Sequence, residues 1–231
     1  MYRYETHLHS APVSICAKTG VEAHIANYKK LGCDGIFLTN HFLDGNIACD
    51  GSLSYREKLD FYFSDFDKAC ELGKEAGLKV FFGVELSLLG TDFLIYGLER
   101  QWYYDNPQIM EMKKSEELPF MMNAGALVVQ AHPFREAGYI DHIRLFPRCV
   151  HAVEVINSCR KEQENEMARL YADHYGLLPF AGSDNHWADR LTSFAGMEFE
   201  EPVDSEKQFA ELVKSGKGRM FVINVADGDV I

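Results

Sequence analysis

The stretch Gly35-Ile36-Phe37-Leu38-Thr39-Asn40-His41 is apolar on both of its faces and then stops abruptly on polar groups. Side chains alternate between the two faces of a strand, so an unbroken apolar run of this length reads as a strand covered on both sides. Working outward, residues 2–9, 79–88, 92–98, 127–133, 152–157 and 178–184 read as further strands. Between them 19–32, 54–77, 105–116, 161–175 and 204–215 carry helical spacing. The clearest is 56–77, where Leu59, Phe63, Phe66, Ala69, Cys70 and Leu72 fall near one stripe and Gly77 marks the stop. This alternation predicts an α/β fold with parallel strands joined by crossover helices, either a barrel or a doubly wound sheet. A chain of 231 residues fits one domain spanning 1–231. Met220-Phe221-Val222-Ile223 reads as an edge or terminal strand.

Charge narrows the function. Asp and Glu number 35 against 23 Lys and Arg, a formal charge of -12, which argues against a nucleic-acid surface carried by net charge. The six cysteines form no CxxC pair and no compact framework, so a reducing cytoplasm is the expected setting. No apolar run is long enough for a membrane span, and residues 1–7 show no secretory signal.

The polar ends of the strands carry the chemistry. The runs finish at His7-Leu8-His9, Asn40-His41, Glu85, His132-Pro133, Glu154 with Asn157, and Asp184-Asn185-His186. In parallel α/β folds the loops after the strand C-termini converge on one face, so residues remote in sequence can share a pocket. Five of the nine histidines stand at such ends, a placement that packing alone explains poorly. Residues i and i+2 of a strand share a face, which lets His7 and His9 reach one site and offers the same to Asp184 and His186. Neutral imidazoles with carboxylates suit divalent Zn, Mn or Fe, and the two oxygens of Glu85 can bridge two ions.

Taken together, Thr6-His7-Leu8-His9-Ser10, Leu38-Thr39-Asn40-His41, Gly83-Val84-Glu85, Ala131-His132-Pro133-Phe134-Arg135 and Gly182-Ser183-Asp184-Asn185-His186 resemble, in order, the successive motifs of the PHP (polymerase and histidinol phosphatase) superfamily. The resemblance spans residues 6–186. It implies a distorted (β/α)7 barrel that holds two or three divalent ions and hydrolyses phosphoesters. By that resemblance His7 and His9 bind a first ion with Glu85 and Asp184, Glu85 bridges to a second ion held by His132, and His41 with His186 holds a third. Its extra ligands correspond best to Cys16 after the HxH motif and Asp92 after the Glu motif. Where the superfamily has Asp before the second-motif His this chain has Asn40, which removes a charge from the surroundings of the ligands.

Arg135 and Arg190, close after His132 and His186, are candidates for clasping substrate phosphate, because a guanidinium grips two oxygens at once. Lys18, Arg56 and Arg160 are further cationic candidates, Glu154 and Asn157 are candidates to orient the ligands, and Tyr103 and Tyr104 could stack on a leaving group. The sequence contains no GxGxxG, GxxxxGK[ST], GxSxG or HExxH, so dinucleotide, P-loop, α/β-hydrolase and zincin chemistries lack their local signals. The expected activity is hydrolysis of a small phosphomonoester, with a metal-bridging hydroxide as nucleophile and with neither nucleic acid nor membrane as partner. Two readings compete with it. One is a barrel hydrolase of the amidohydrolase kind, and the other a barrel that binds metal or a phosphorylated ligand without turnover.

Overall fold

Residues 1–226, the part of the chain described in the computed structural model, form ten strands, six α-helices and one 3-10 turn. The expected domain runs to residue 231, and its last five residues lie outside the described ones. Strands β1 (Tyr2–Leu8), β2 (Gly35–Leu38), β3 (Lys79–Phe82), β9 (Ser193–Phe199) and β10 (Arg219–Asn224) make one five-stranded sheet in the order β10-β9-β1-β2-β3. Strands β4 (Val84–Leu88), β5 (Thr91–Tyr96), β6 (Leu127–Ala131), β7 (Ala152–Asn157) and β8 (Leu178–Gly182) make the second sheet in sequence order. The fold is mixed α/β as expected, but its strands are distributed over two open sheets.

Two departures from an all-parallel plan have local causes. The expected strand 79–88 is divided at Gly83, where a Cβ would lie 2.9 Å from the Tyr96 ring and 3.0 Å from the Ile95 carbonyl oxygen. β4 and β5 are joined by Leu89 and Gly90 alone, both with positive φ (49° and 84°). A parallel crossover needs a dozen or more residues, so β5 has to run antiparallel to β4, and it pairs antiparallel to β6 as well. Around it, β1, β2 and β3 pair in parallel, as do β6, β7 and β8. The two sheets touch at the C-terminal ends of β1 and β2 through isolated parallel bridges, Leu8 with Asn185 and His41 with Glu85.

The helices are α1 (Val21–Lys30), α2 (Tyr55–Ala76), α3 (Arg100–Asp105), α4 (Lys114–Asn123), α5 (Glu162–Tyr175) and α6 (Glu206–Lys214). α2 starts with a capping box between Ser54 and Glu57 and ends on Gly77 in the left-handed region, φ 68°. The helix expected over 105–116 is instead the end of α3, a 3-10 turn at Pro107–Glu111 and the start of α4. Pro107 disfavours the helical conformation at Asn106, which has φ -125° and ψ 56°. β9 was not expected. Gly196 interrupts its apolar pattern because the Tyr4 carbonyl of β1 passes where a Cβ would stand.

Both sheets contribute to one apolar cluster, in which Tyr4, Phe37 and Phe81 meet Leu94, Tyr96, Leu127 and Phe180 around Phe209 of α6. The Phe209 ring centroid lies 4.1 Å from that of Phe37 with the rings tilted by 38°, and burying a side chain of that size is worth about 3–5 kcal/mol against truncation to Ala. Tyr4 and Leu127 stand at the starts of their strands, so α6 and this cluster fill one end of the molecule and leave the strand C-termini to polar groups. No helix among the described residues is long and apolar enough to cross a membrane.

Candidate metal centre

β1 supplies the first two histidines. His7 and His9 face the same way, fully buried, with their Nε2 atoms 3.2 Å apart. What fixes this end of β1 is Glu5, on the same face and also fully buried. Its Oε1 accepts the backbone N–H groups of Thr6, His7 and Ser183, and its Oε2 accepts the hydroxyls of Tyr28 and Ser183. Burial nevertheless raises its carboxyl to about 7. Sequence reasoning missed Glu5, although its spacing of two from His7 was a signal that it points inward.

β8 approaches β1 closely because Gly182 has no side chain. A Cβ there would lie 2.6 Å from both Glu154 Oε1 and His7 Cβ. Two residues on, Asp184 adopts positive φ (55°) and turns its carboxylate into the cluster, with Oδ1 3.5 Å from His7 Nε2 and 3.3 Å from His9 Nε2. His132, after β6, also has positive φ (24°) and stands 3.5 Å from Glu85 Oε1. Glu85 on β4 lies between the histidines, 3.2 Å from His7, 3.4 Å from His9 and 2.7 Å from His41 Nδ1. Asp92 begins β5, yet the antiparallel course of that strand turns its beginning toward the other strands' C-terminal ends. Asp92 is 2 % exposed, and its Oδ2 is 4.0 Å from His132 Nε2.

Three overlapping groups emerge whose ligand atoms lie within 4.8 Å of one another: His7 with Glu85 and His132, His7 with His9 and Asp184, and His9 with Cys16, His41 and His186. Cys16 Sγ lies 3.1 Å from His186 Nε2, while His186 Nδ1 is 2.7 Å from the Asp184 carbonyl oxygen.

The electrostatics suit cations. Burial opposes the charged forms of Glu85 and Asp184, but the imidazoles outweigh it, His41 foremost for Glu85 and His7 for Asp184, and hold both well below the usual carboxylate range. Burial likewise opposes protonation of His41, and Glu85 overrides it and brings His41 up to about 11. Burial takes His9 down to about 3. Burial raises the Cys16 thiol, and hydrogen bonding to His186 and His41 outweighs it, bringing the thiol to about 6. Both oxygens of Glu85 and both ring nitrogens of His132 are buried without a well-aligned hydrogen bond, and the Glu85 oxygens face only imidazoles of the cluster itself. Orphaned acceptors in so dry a place are costly unless something positive binds them, so these residues fit divalent ions.

A second ring of groups orients this set. Glu154 Oε1 lies 2.9 Å from His7 Nδ1, and its Oε2 accepts the His132 N–H at 3.0 Å and Asn157 Nδ2 at 2.9 Å. Asn157 Oδ1 accepts the Cys159 N–H. Asn40 does not face the cluster. Its Oδ1 accepts the Ser10 N–H and the Ser14 hydroxyl, each at 2.8 Å, and Ser14 Oγ is 3.3 Å from His9 Nδ1. At this position an amide does what a carboxylate could not, since Nδ2 also donates to Ser10 Oγ.

The cluster lies under a cleft with two lobes that share Cys16, Arg160, Asp184 and His186. In the lobe of 590 Å³ Arg135 is held by Asp92 at 2.8 Å and by the Gly90 carbonyl at 3.3 Å. In the lobe of 630 Å³ Arg190 is exposed and lies over the Trp187 ring at 4.2 Å, so it belongs to the rim. Arg160 reaches further in, with Nη2 3.4 Å from Asp184 Oδ2, and its buried Nε has no partner. The other cationic and aromatic candidates sit elsewhere. Lys18 bonds the Ile15 carbonyl, Arg56 lies over Tyr104, Tyr103 is packed against Phe42, and Tyr104 donates to Asp60.

Comparison with known proteins agrees with this picture. The family described as PHP-associated (PHP_C) matches residues 162–217, which run from α5 to just beyond α6. A two-domain protein of Bacteroides vulgatus, containing a predicted PHP-like metal-dependent phosphoesterase, superposes with a TM-score of 0.69 at 16 % identity. That match takes in 95 % of this chain and 64 % of the other, so the chain spans less than two thirds of that protein's length. A candidate metal-dependent phosphoesterase from Bifidobacterium adolescentis gives 0.56 at 12 % identity over 92 % of this chain and 96 % of its own. An amidohydrolase from Chromobacterium violaceum, with bound sulfate and no metal, gives 0.55 at 14 % identity over 98 % and 99 % of the two chains. At these identities the likeness is one of fold. No curated protein matches the sequence.

Proposed function

We propose that the chain belongs to the PHP superfamily and is a metal-dependent hydrolase of small phosphomonoesters. One observation carries the reading. His7, His9, His41, Glu85, His132, Asp184 and His186, drawn from strand ends across the whole sequence, meet in one cluster in which the Glu85 oxygens and the His132 ring nitrogens are left without a hydrogen bond. Two or three divalent ions of the zinc, manganese or iron kind would be held by these residues with Asp92. Ions so placed supply an activated water at neutral pH and neutralise phosphoryl oxygens.

The chain's own groups do the rest. Glu154 fixes the ring of His7 through Nδ1, leaving Nε2 to face the cluster, and through the His132 N–H it sets a second ligand. Arg160, with an unpartnered Nε at the cleft floor, is the group best placed to grip a phosphate oxygen. Arg135 has one arm committed to Asp92 and a buried Nε without a partner, so it both steadies that carboxylate and offers a second cation to the substrate. No lysine stands at the strand ends that form the cluster, which favours phosphoester over C–N cleavage.

The same reading treats the two sheets as walls of one distorted (β/α)7 barrel in a single domain. If β3 and β4 count as one strand bent at Gly83, then β1, β2, β3 with β4, β5, β6, β7 and β8 follow in sequence around a ring. The bridges Leu8 to Asn185 and His41 to Glu85 support it as seams.

Metal analysis of the purified protein, followed by phosphate release from sugar phosphates, nucleotides and histidinol phosphate with added Mn, Zn or Fe, tests the proposal. Turnover of at least one monoester that chelator abolishes is the expected result. Bound metal without turnover of any would make the chain a binding barrel instead.

A further inference from the structure

We propose that the Cys16 thiolate is itself a metal ligand, which makes the position of His41 and His186 a sulfur site that selects a thiophilic ion of the zinc type over manganese or magnesium. The inference rests on the metal-centre reading above and sharpens it to the kind of ion each position takes.

The donors differ sharply across the cluster. The groups His7, Glu85, His132 and His7, His9, Asp184 each include a carboxylate, whereas the group of Cys16, His41, His186 and His9 offers three imidazoles and one sulfur, with Glu85 Oε2 standing beside it at 2.7 Å from His41 Nδ1. His9 also belongs to the Asp184 group, so Cys16, His41 and His186 are the donors this position has to itself. Hard Mn and Mg favour oxygen ligands, while thiolate with imidazole favours Zn and its near neighbours. The protein would therefore hold ions of two chemical kinds, one set exchangeable among oxygen-seeking metals and one not.

The sulfur is held in place by backbone on both sides. The Ile15 N–H bonds the Asn46 carbonyl, the Ala17 N–H bonds the Ser14 carbonyl, and the Lys18 N–H bonds the carbonyl of His186 itself at 2.9 Å. This last bond ties the cysteine loop directly to the histidine loop it faces. His186 Nδ1 is turned to the Asp184 carbonyl, which leaves Nε2 as the atom aimed at Cys16 Sγ. A cysteine serving only as packing would have no need of three imidazoles around it.

Cobalt loading tests the assignment, because a thiolate bonded to Co(II) gives a charge-transfer band in the near ultraviolet that imidazole and carboxylate do not. The wild type and Cys159→Ser, which removes the exposed cysteine of the same cleft, should both show the band. Cys16→Ser should lose it and bind one metal equivalent fewer. Cys16→Asp should lose the band, keep the full metal count with manganese and gain manganese affinity. Should either variant misfold, alkylation of the wild type by iodoacetamide, read by peptide mass, gives the same answer: zinc should shield Cys16 and manganese should not. A band that survives in Cys16→Ser, a band lost in Cys159→Ser, a fully cobalt-loaded wild type without a band, or equal alkylation under both metals would overturn the proposal. A band without phosphate release leaves this inference standing and removes the phosphoesterase reading, and phosphate release without the band does the reverse.

Discussion

Glu154 and His7 are joined at 2.9 Å through Oε1 and Nδ1 with both side chains fully buried, and the other oxygen of the same carboxylate accepts the backbone N–H of His132. One side chain thus sets the aim of His7 and His132, two of the proposed ligands. Glu154→Gln keeps the shape but puts an amide where the carboxylate accepted the Nδ1 proton. Orienting groups of this kind are worth roughly 10–100-fold in metal affinity. We expect a loss of that size in a competitive chelator titration, with the far-ultraviolet circular dichroism unchanged.

Asp184 is the hinge of the site in another sense, because its carboxylate touches His7, His9, His132 and Arg160. Asp184→Ala should abolish phosphate release and lower the bound metal count. It should change the apo protein's melting temperature little, since ligands at a strand end serve the site more than the core. Full activity with normal metal content in this variant would contradict the role.

Arg160 and Arg135 separate gripping from bracing. Arg160→Ala should cut kcat/KM by about 10²-fold, near 3 kcal/mol, as expected for a lost charge-assisted contact to a phosphoryl group, with metal content unchanged. Arg160→Lys should recover only part, because an ammonium lacks the planar fork. Arg135→Ala should lower activity and metal content together, since it also leaves Asp92 buried without its cation. Steady-state kinetics beside metal analysis distinguish the two patterns.

Lys114 faces two carboxylates, Asp44 and Glu117, both within hydrogen-bonding distance and away from the metal cluster. One ammonium cannot fully compensate two anions, so burial raises Glu117 from 4.5 to about 7 despite the pairing. Between pH 4.5 and 7 the folded state then binds more protons at this residue than the unfolded chain does. Its contribution to stability therefore falls as pH rises through that window. Melting curves should show Glu117→Gln gaining on the wild type as pH rises from 4.5 to 7 and holding level above it.

Much of the candidate cluster was legible because its residues stand at the polar ends of apolar runs, with His7 and His9 sharing a face at spacing i, i+2. Asp92 was harder to read. In sequence it only begins a strand, and its place in the cluster depends on the antiparallel turn forced by Leu89 and Gly90. That turn could have been foreseen, since nothing between 88 and 92 can cross over. Asn40 carried a misleading signal, because the missing charge suggested weakened ligands whereas its amide holds the Ser10 to Ser14 loop. Nothing local marked β9, whose apolar pattern yields at Gly196 to the passing backbone of β1. Tyr103 and Tyr104 failed as candidates for the reason aromatics often do, which is that a core needs them more than a cleft.

The Glu5 clamp has a consequence for how the molecule comes into being. It ties β1 to Ser183, a partner 178 positions later in the chain. Closing so long a loop costs entropy that local structure cannot repay early, and such pairings form late and slowly. A chain emerging from the ribosome has its first two histidines ready almost at once, yet they must wait for most of the protein to be made before Asp184 arrives beside them. Until then the growing polypeptide exposes soft and hard ligands in no fixed arrangement, open to any ion in its surroundings. On the proposed function, metal choice falls at the end of folding, when the last strands close on the first.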